Sequence, residues 1–190
     1  GVYLVAVGGW PIVVIGLASL LCGFAYTGGP YPLGYHGLGD VFVFVFFGLV
    51  AVAGTFYVQA GTVTATALVA GVPVGAMATA LLAVNNLRDV DTDRKAGKRT
   101  LVVRFGVARG RAEYLGALGV SFATPMVLWA LGWSGPIVLI ALLALPVALA
   151  PVRTVMRGAG AILNDALGGT ARLMVVFGLL FAVGLYLGAR

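Results

Sequence analysis

Long apolar runs decide what this chain can fold into. Val2–Ala25, Asp40–Gln59, Thr62–Leu87, Ala112–Leu131, Gly135–Met156 and Leu167–Leu187 are almost free of charge. Each is about as long as the roughly 17–25 residues that an α-helix needs to cross a hydrocarbon core of about 30 Å. A soluble helical protein would put polar faces on its helices, and these runs have almost none. Of the 190 residues, 61% are hydrophobic and 9% are charged, where a soluble domain carries about 25% charged. The pattern predicts an all-α, polytopic transmembrane helical bundle of six spans, with residues 1–190 forming one domain. The 29 glycines fit close helix packing in lipid. Pro11 and Pro73 fall inside spans and predict kinks, and Pro136 and Pro146 predict further bends.

The cations give the orientation. Arg88, Arg94, Lys95, Lys98, Arg99, Arg104, Arg109 and Arg111 crowd the connection between the third and fourth spans, which the positive-inside rule places in the cytoplasm. Alternating outward puts Tyr26–Gly39 and the loop with Arg153, Arg157 and Asp165 on that same side. The tight Ala60-Gly61 and Gly132–Ser134 turns fall outside, and Arg190 is the one cation left there. Every polar, unusual segment therefore gathers on the cytoplasmic face of the membrane, with lipids around the spans. The net charge of +6 belongs to these flanks. No basic surface interleaved with aromatics exists for a nucleic acid to occupy, so no nucleic-acid partner is expected. Cys22, the lone cysteine, excludes an internal disulfide.

Charge is otherwise concentrated in Asn85–Thr100, which holds three carboxylates and five cations. If the third span stays helical past Val84, then Asn85, Asp89 and Asp93 recur every fourth residue on one face, with Asn86 at its edge. Two carboxylates with few other protein oxygens suit Mg²⁺, which keeps waters and completes its octahedron with phosphate oxygens. Soft-metal chemistry is excluded because no His or Cys is near. An EF-hand is excluded by Arg94 and Thr100, which stand where that loop needs Gly and Glu. A phosphate-binding loop is excluded because Gly97-Lys98-Arg99-Thr100 lacks the upstream glycine and splits the Lys-Thr pair. The remaining plain reading is a solvated helix end with local ion pairs.

The motif Asn85-Asn86-x-Arg88-Asp89-x-x-x-Asp93-x-x-x-Gly97-Lys98-x-Thr100-Leu101, followed by Arg104-Phe105-Gly106, resembles the second aspartate-rich motif of UbiA-type intramembrane prenyltransferases. The double Asn and the Gly-Lys-x-Thr are most like the branch that prenylates 1,4-dihydroxy-2-naphthoate in menaquinone biosynthesis. Tyr26-Thr27-Gly28-Gly29-Pro30 through Gly37-Leu38-Gly39-Asp40 is a second match, and Leu163-Asn164 through Arg172 a weaker third. That family has two aspartate motifs and about nine spans. The chain opens on Gly1-Val2-Tyr3, with six spans and one such motif, so the resemblance implies a truncated form. Such a form would lack the first motif and be inactive alone.

What the resemblance implies is prenyl transfer from a polyprenyl diphosphate to 1,4-dihydroxy-2-naphthoate, with loss of carbon dioxide, at a bacterial plasma membrane. Asp89 and Asp93 would hold Mg²⁺ on the diphosphate. Asn85 and Asn86 would orient metal-bound waters or phosphate. Lys98 is the leading candidate for direct diphosphate contact and Arg99 the second. Tyr31 and Tyr35 could cap the site and face the allylic cation. Asp40 either accepts a hydroxyl proton from the acceptor ring or is a charge favoured at a helix N-terminus. Arg153 either holds an acceptor carboxylate or phosphate oxygen, or is a positive-inside anchor. Competing readings are a sister enzyme with another aromatic acceptor, a transporter or ion-binding membrane protein, and a non-catalytic helical partner. The transporter needs charges at mid-membrane, and the span interiors carry none apart from Arg172 near a helix end.

Overall fold

The computed structural model describes residues 1–189; Arg190, and with it the cation expected on the outer side, lies outside the described residues. Among the described residues nine principal helices follow one another, with short 3₁₀ turns at Leu33–His36 and Gly160–Ile162 and no strand. They are α1 (Val2–Gly8), α2 (Trp10–Thr27), α3 (Gly39–Ala60), α4 (Ala65–Arg88), α5 (Val90–Lys95), α6 (Leu101–Phe105), α7 (Val107–Ala130), α8 (Pro136–Arg157) and α9 (Leu163–Leu187). Five helices are long and apolar enough to cross a membrane: α2, α3, α4, α8, and α9 with the short turn before it. Helix α7 has the length, but Arg109, Arg111 and Glu113 occupy its first two turns.

The first expected span is divided. Gly9, at φ 68 and ψ −160, breaks it into α1 and α2. Only glycine enters that region freely. Pro11 does not bend a helix here. It sits in the first turn of α2, where its missing N–H is not needed. Pro73 lies inside α4, which stays one helix through it, and Ser121 of α7 donates to the Pro73 carbonyl at 3.1 Å. Pro136 opens a 3₁₀ segment and Pro146 sits in the first turn where α8 becomes α-helical.

Helix α4 is the centre of the fold. It packs on α3, α7 and α9, and Met77, Ala80, Ala83 and Val84 are almost fully buried. The α3–α4 crossing is made by glycine. A Cβ on Gly48 would meet Gly75 Cα at 2.6 Å and the Gly71 carbonyl at 2.7 Å; one on Gly75 would meet the Phe44 carbonyl at 2.5 Å. With no side chain between them, the two backbones touch, as small residues allow in membrane helices. Gly48 lies in a π-helical stretch, Phe44–Val50. The two helices run antiparallel, so Gly39 and Asp40 lie beside Thr79 and Leu82 at the far end, where the Thr79 hydroxyl approaches the Asp40 carbonyl at 3.5 Å. By contrast no residue of α1 or α2 is buried.

Candidate active site

Helix α4 loses its regular geometry at Asp89, which takes φ −98 and ψ 11, and α5 starts one residue later. The expected continuous stripe is therefore interrupted, although Asp89 N–H still bonds to Asn85 O at 3.0 Å and Asp93 N–H to Asp89 O at 2.8 Å. The two acids part company as a result. Asp89 turns to Arg88, which donates from Nε at 2.8 Å and Nη2 at 2.6 Å in a bidentate fork. Arg88 also donates to Asn85 Oδ1 at 2.6 Å and Asn164 Oδ1 at 3.0 Å. That fork holds the Asp89 carboxyl below the usual carboxylate range. Asp93 turns inward instead. It is buried, and Lys98 Nζ lies 2.9 Å from its Oδ1. This bond raises the Lys98 ammonium above its ordinary value.

The Lys98 position is built from its backbone upward. Lys98 N–H bonds to Asp93 O at 2.9 Å, and Gly97, at φ 74, makes the turn that brings the two side chains together. Arg99 N–H then bonds to Tyr35 O at 2.7 Å, which ties the 28–38 loop to the acidic segment. Gly37 is required beside this contact, since a Cβ there would lie 2.7 Å from the Arg99 carbonyl. Tyr35 places its ring under Lys98, 5.5 Å from Nζ. Thr100 caps α6 through its hydroxyl on the Val103 N–H at 3.3 Å.

These contacts close a polar cavity of about 180 Å³. Asn85, Asn86, Asp93, Lys98, Tyr35, Thr100 and Tyr26 are among its lining residues. Asp89, Arg99, Tyr31 and Arg153 do not line it. Arg99 and Arg153 are exposed. Tyr31 is exposed and stacks on His36, with ring centroids 3.5 Å apart. Asp40, in the first turn of α3, lines a narrower pocket that shares Tyr26, Gly34, Leu82, Asn86 and Thr100 with the cavity. The third polar segment reaches the same end of the bundle: Arg88 meets Asn164, and Arg111 donates to the carbonyls of Val155 at 3.0 Å and Gly158 at 3.1 Å.

Sequence reasoning gave no site role to Arg88, Tyr26, Thr100 or Glu113. Glu113 is the only glutamate in the chain, and an acid within an otherwise apolar span is itself a signal.

A profile of the UbiA prenyltransferase family matches residues 1–161. The chain belongs to the UbiA prenyltransferase family. It is 40% identical over 178 residues to a 1,4-dihydroxy-2-naphthoate octaprenyltransferase of Mycobacterium tuberculosis (strain ATCC 25618 / H37Rv), a match covering 93% of this chain and 60% of that protein. The corresponding octaprenyltransferase of Escherichia coli (strain K12) is 36% identical over 183 residues, covering 92% of this chain and 57% of the relative. That of Bacillus subtilis (strain 168) is 30% identical over 193 residues, covering 97% and 60%. The chain thus spans about three-fifths of the length of the curated relatives it matches. Family membership and the five long apolar helices make it an integral membrane protein.

Proposed function

We propose that this chain carries the diphosphate end of an enzyme that transfers a prenyl group from a polyprenyl diphosphate to 1,4-dihydroxy-2-naphthoate, with decarboxylation, in menaquinone biosynthesis. The observation that carries the reading is the Asp93–Lys98 pair beside Asn85 and Asn86 in one cavity, at the polar end of a membrane helix. The names of the matched relatives supply the acceptor. The positive-inside pattern supports a cavity facing the cytoplasm, and the bacterial sources of the relatives support a bacterial plasma membrane.

The donor set is one of hard oxygens: the carboxylates of Asp93 and Asp89 and the amide oxygens of Asn85 and Asn86. Among the described residues no three acidic, His or Cys side chains cluster closely enough to enclose a metal ion. The hard-oxygen donors fit Mg²⁺, which takes one or two carboxylates and fills its remaining positions with water and phosphate oxygens. Asp93 in the cavity wall would hold the ion, joined by Asp89 once the Arg88 fork opens, and the ion when bound would neutralise charge on the leaving diphosphate.

The chain's own residues do the rest. Lys98 and Arg88 occupy the two acids until substrate arrives. When the diphosphate enters, the Lys98 ammonium passes from Asp93 to a phosphate oxygen and remains there as negative charge grows on the leaving group. Tyr35 keeps that ammonium over the cavity and presents its ring face to positive charge. The apolar walls of the bundle keep water from the allylic cation.

The test is magnesium-dependent release of diphosphate by the complete gene product, given a polyprenyl diphosphate and dihydroxynaphthoate. Asp93→Asn should lower turnover by about 10²–10³-fold with folding intact. A variant that turns over at the wild-type rate would remove the basis for the proposal.

A further inference from the structure

Glu113 has no task in the reading above. It lies at the end of the second turn of α7 and faces Asp40 in the first turn of α3. The two carboxyl groups are within hydrogen-bonding reach of each other. Asp40 Oδ1 and Glu113 Oε2 are both sealed from solvent, and no N–H or hydroxyl donates to either. Two ionised carboxylates have only acceptors to offer one another. One proton between them converts a repulsive contact into a short, charge-assisted hydrogen bond.

The groups facing this pair are few. Tyr26 approaches Asp40 from α2, with Lys98 and Asp93 beyond it, and Arg109 lies near Glu113 on α7. Gly39 makes room for the tyrosine, because a Cβ there would stand 2.9 Å from Tyr26 Oη. Asp40 also lines the pocket that adjoins the diphosphate cavity across Asn86 and Tyr26. The Asp40–Glu113 pair therefore borders the space next to the cavity of Asp93 and Lys98.

We propose that Asp40 and Glu113 share a single proton, and that Asp40 takes up the hydroxyl proton of the aromatic acceptor while Glu113 positions it. This rests on the prenyl-transfer reading. The acceptor O–H bond breaks, its proton goes to Asp40, and its electron pair moves into the ring. The ring carbon bonds to the allylic carbon, while the allylic C–O bond breaks and its electron pair leaves with the diphosphate. As carbon dioxide departs, the electrons of the broken C–C bond restore the ring, and the ring oxygen takes the proton back from Asp40. The pair ends as it began, with one proton for two carboxyls.

Infrared spectra of the full chain at neutral pH test the proton without reference to turnover. Wild type minus Glu113→Gln and wild type minus Asp40→Asn should both contain a protonated-carboxyl stretch. Absence of that band from both differences overturns the proposal, whether or not the protein transfers prenyl groups. In the transfer assay, Glu113→Gln should lower kcat by about 10–100-fold and leave KM for the prenyl diphosphate within about twofold. It should also move the acid limb of the pH–rate profile, and Glu113→Asp should recover part of the rate. A Glu113→Gln enzyme that loses stability while its acid limb stays in place overturns the positioning role. A complete gene product that shows the band and transfers no prenyl group fails on the assay alone, which overturns the acceptor chemistry and the prenyl-transfer reading together and leaves the shared proton standing.

Discussion

Two pairs of acids lie at the polar end of this bundle and are treated in opposite ways. Asp89 and Asp93 each have a private cation, Arg88 at 2.6 Å and Lys98 at 2.9 Å. Asp40 and Glu113 face each other with no donor on their buried oxygens. Each carboxylate held by a cation already has its counter-charge, which a diphosphate complex of the proposed kind would displace. Carboxyls held by each other keep a proton that can be exchanged. All four are carboxylic acids, so the neighbours set the difference in chemistry.

The comparison breaks most visibly at Asp93. Replacing it with Asn in the complete protein should cost about 10²–10³-fold in turnover, more than Glu113→Gln costs. Equal losses would erase the distinction between a fixed anion and a proton carrier. Lys98→Met comes next. It should lower kcat/KM for the prenyl diphosphate by about 10–100-fold and leave the protonated-carboxyl band of the other pair unchanged. A change in that band would mean the two pairs titrate as one unit.

The smallest effect is on stability. The Lys98 ammonium is raised above its ordinary value by its bond to Asp93. Its contribution is therefore fully present below the unfolded lysine value of about 10.4 and fades as pH climbs through the folded one. The melting-temperature gap between wild type and Asp93→Asn should be constant from pH 7 to about 9.5 and narrow above about 10.5. Asp89 behaves in the opposite sense. Its carboxyl is lowered by the Arg88 fork, so its contribution is lost only as pH falls through that depressed value, below about 3.9. A gap that narrows between pH 7 and 9 would show that Lys98 is not held by Asp93.

The bundle itself was legible in the sequence because apolar length and charge asymmetry are coarse signals that packing does not overturn. That Asn85 and Asp93 share one cavity wall could be anticipated, because their eight-residue separation survives the break at Asp89; Lys98 reaches the same cavity through the Gly97 turn, which the spacing does not encode. That break hinges on one backbone conformation and on an arginine fork that also takes in Asn164, 76 residues further on. No local pattern encodes it, and Asp89 accordingly ended up outside the cavity lining. The division of the first span at Gly9 was hidden for the opposite reason, since a glycine in an apolar run reads as close packing. Glu113 was missed because its meaning lies in Asp40, 73 positions earlier in the chain. Pairing across a bundle is a tertiary fact.

The glycine crossing of α3 and α4 carries a mechanical consequence. Side chains normally cushion two neighbouring helices and let one slip against the other. Gly48, Gly71 and Gly75 remove that cushion, and a shift of one residue along the axis would drive Cβ atoms into the facing main chain. The joint behaves like a keyed shaft. It fixes the distance between the start of one helix and the end of the next, and so between Asp40 and the cavity lined by Asp93 and Lys98.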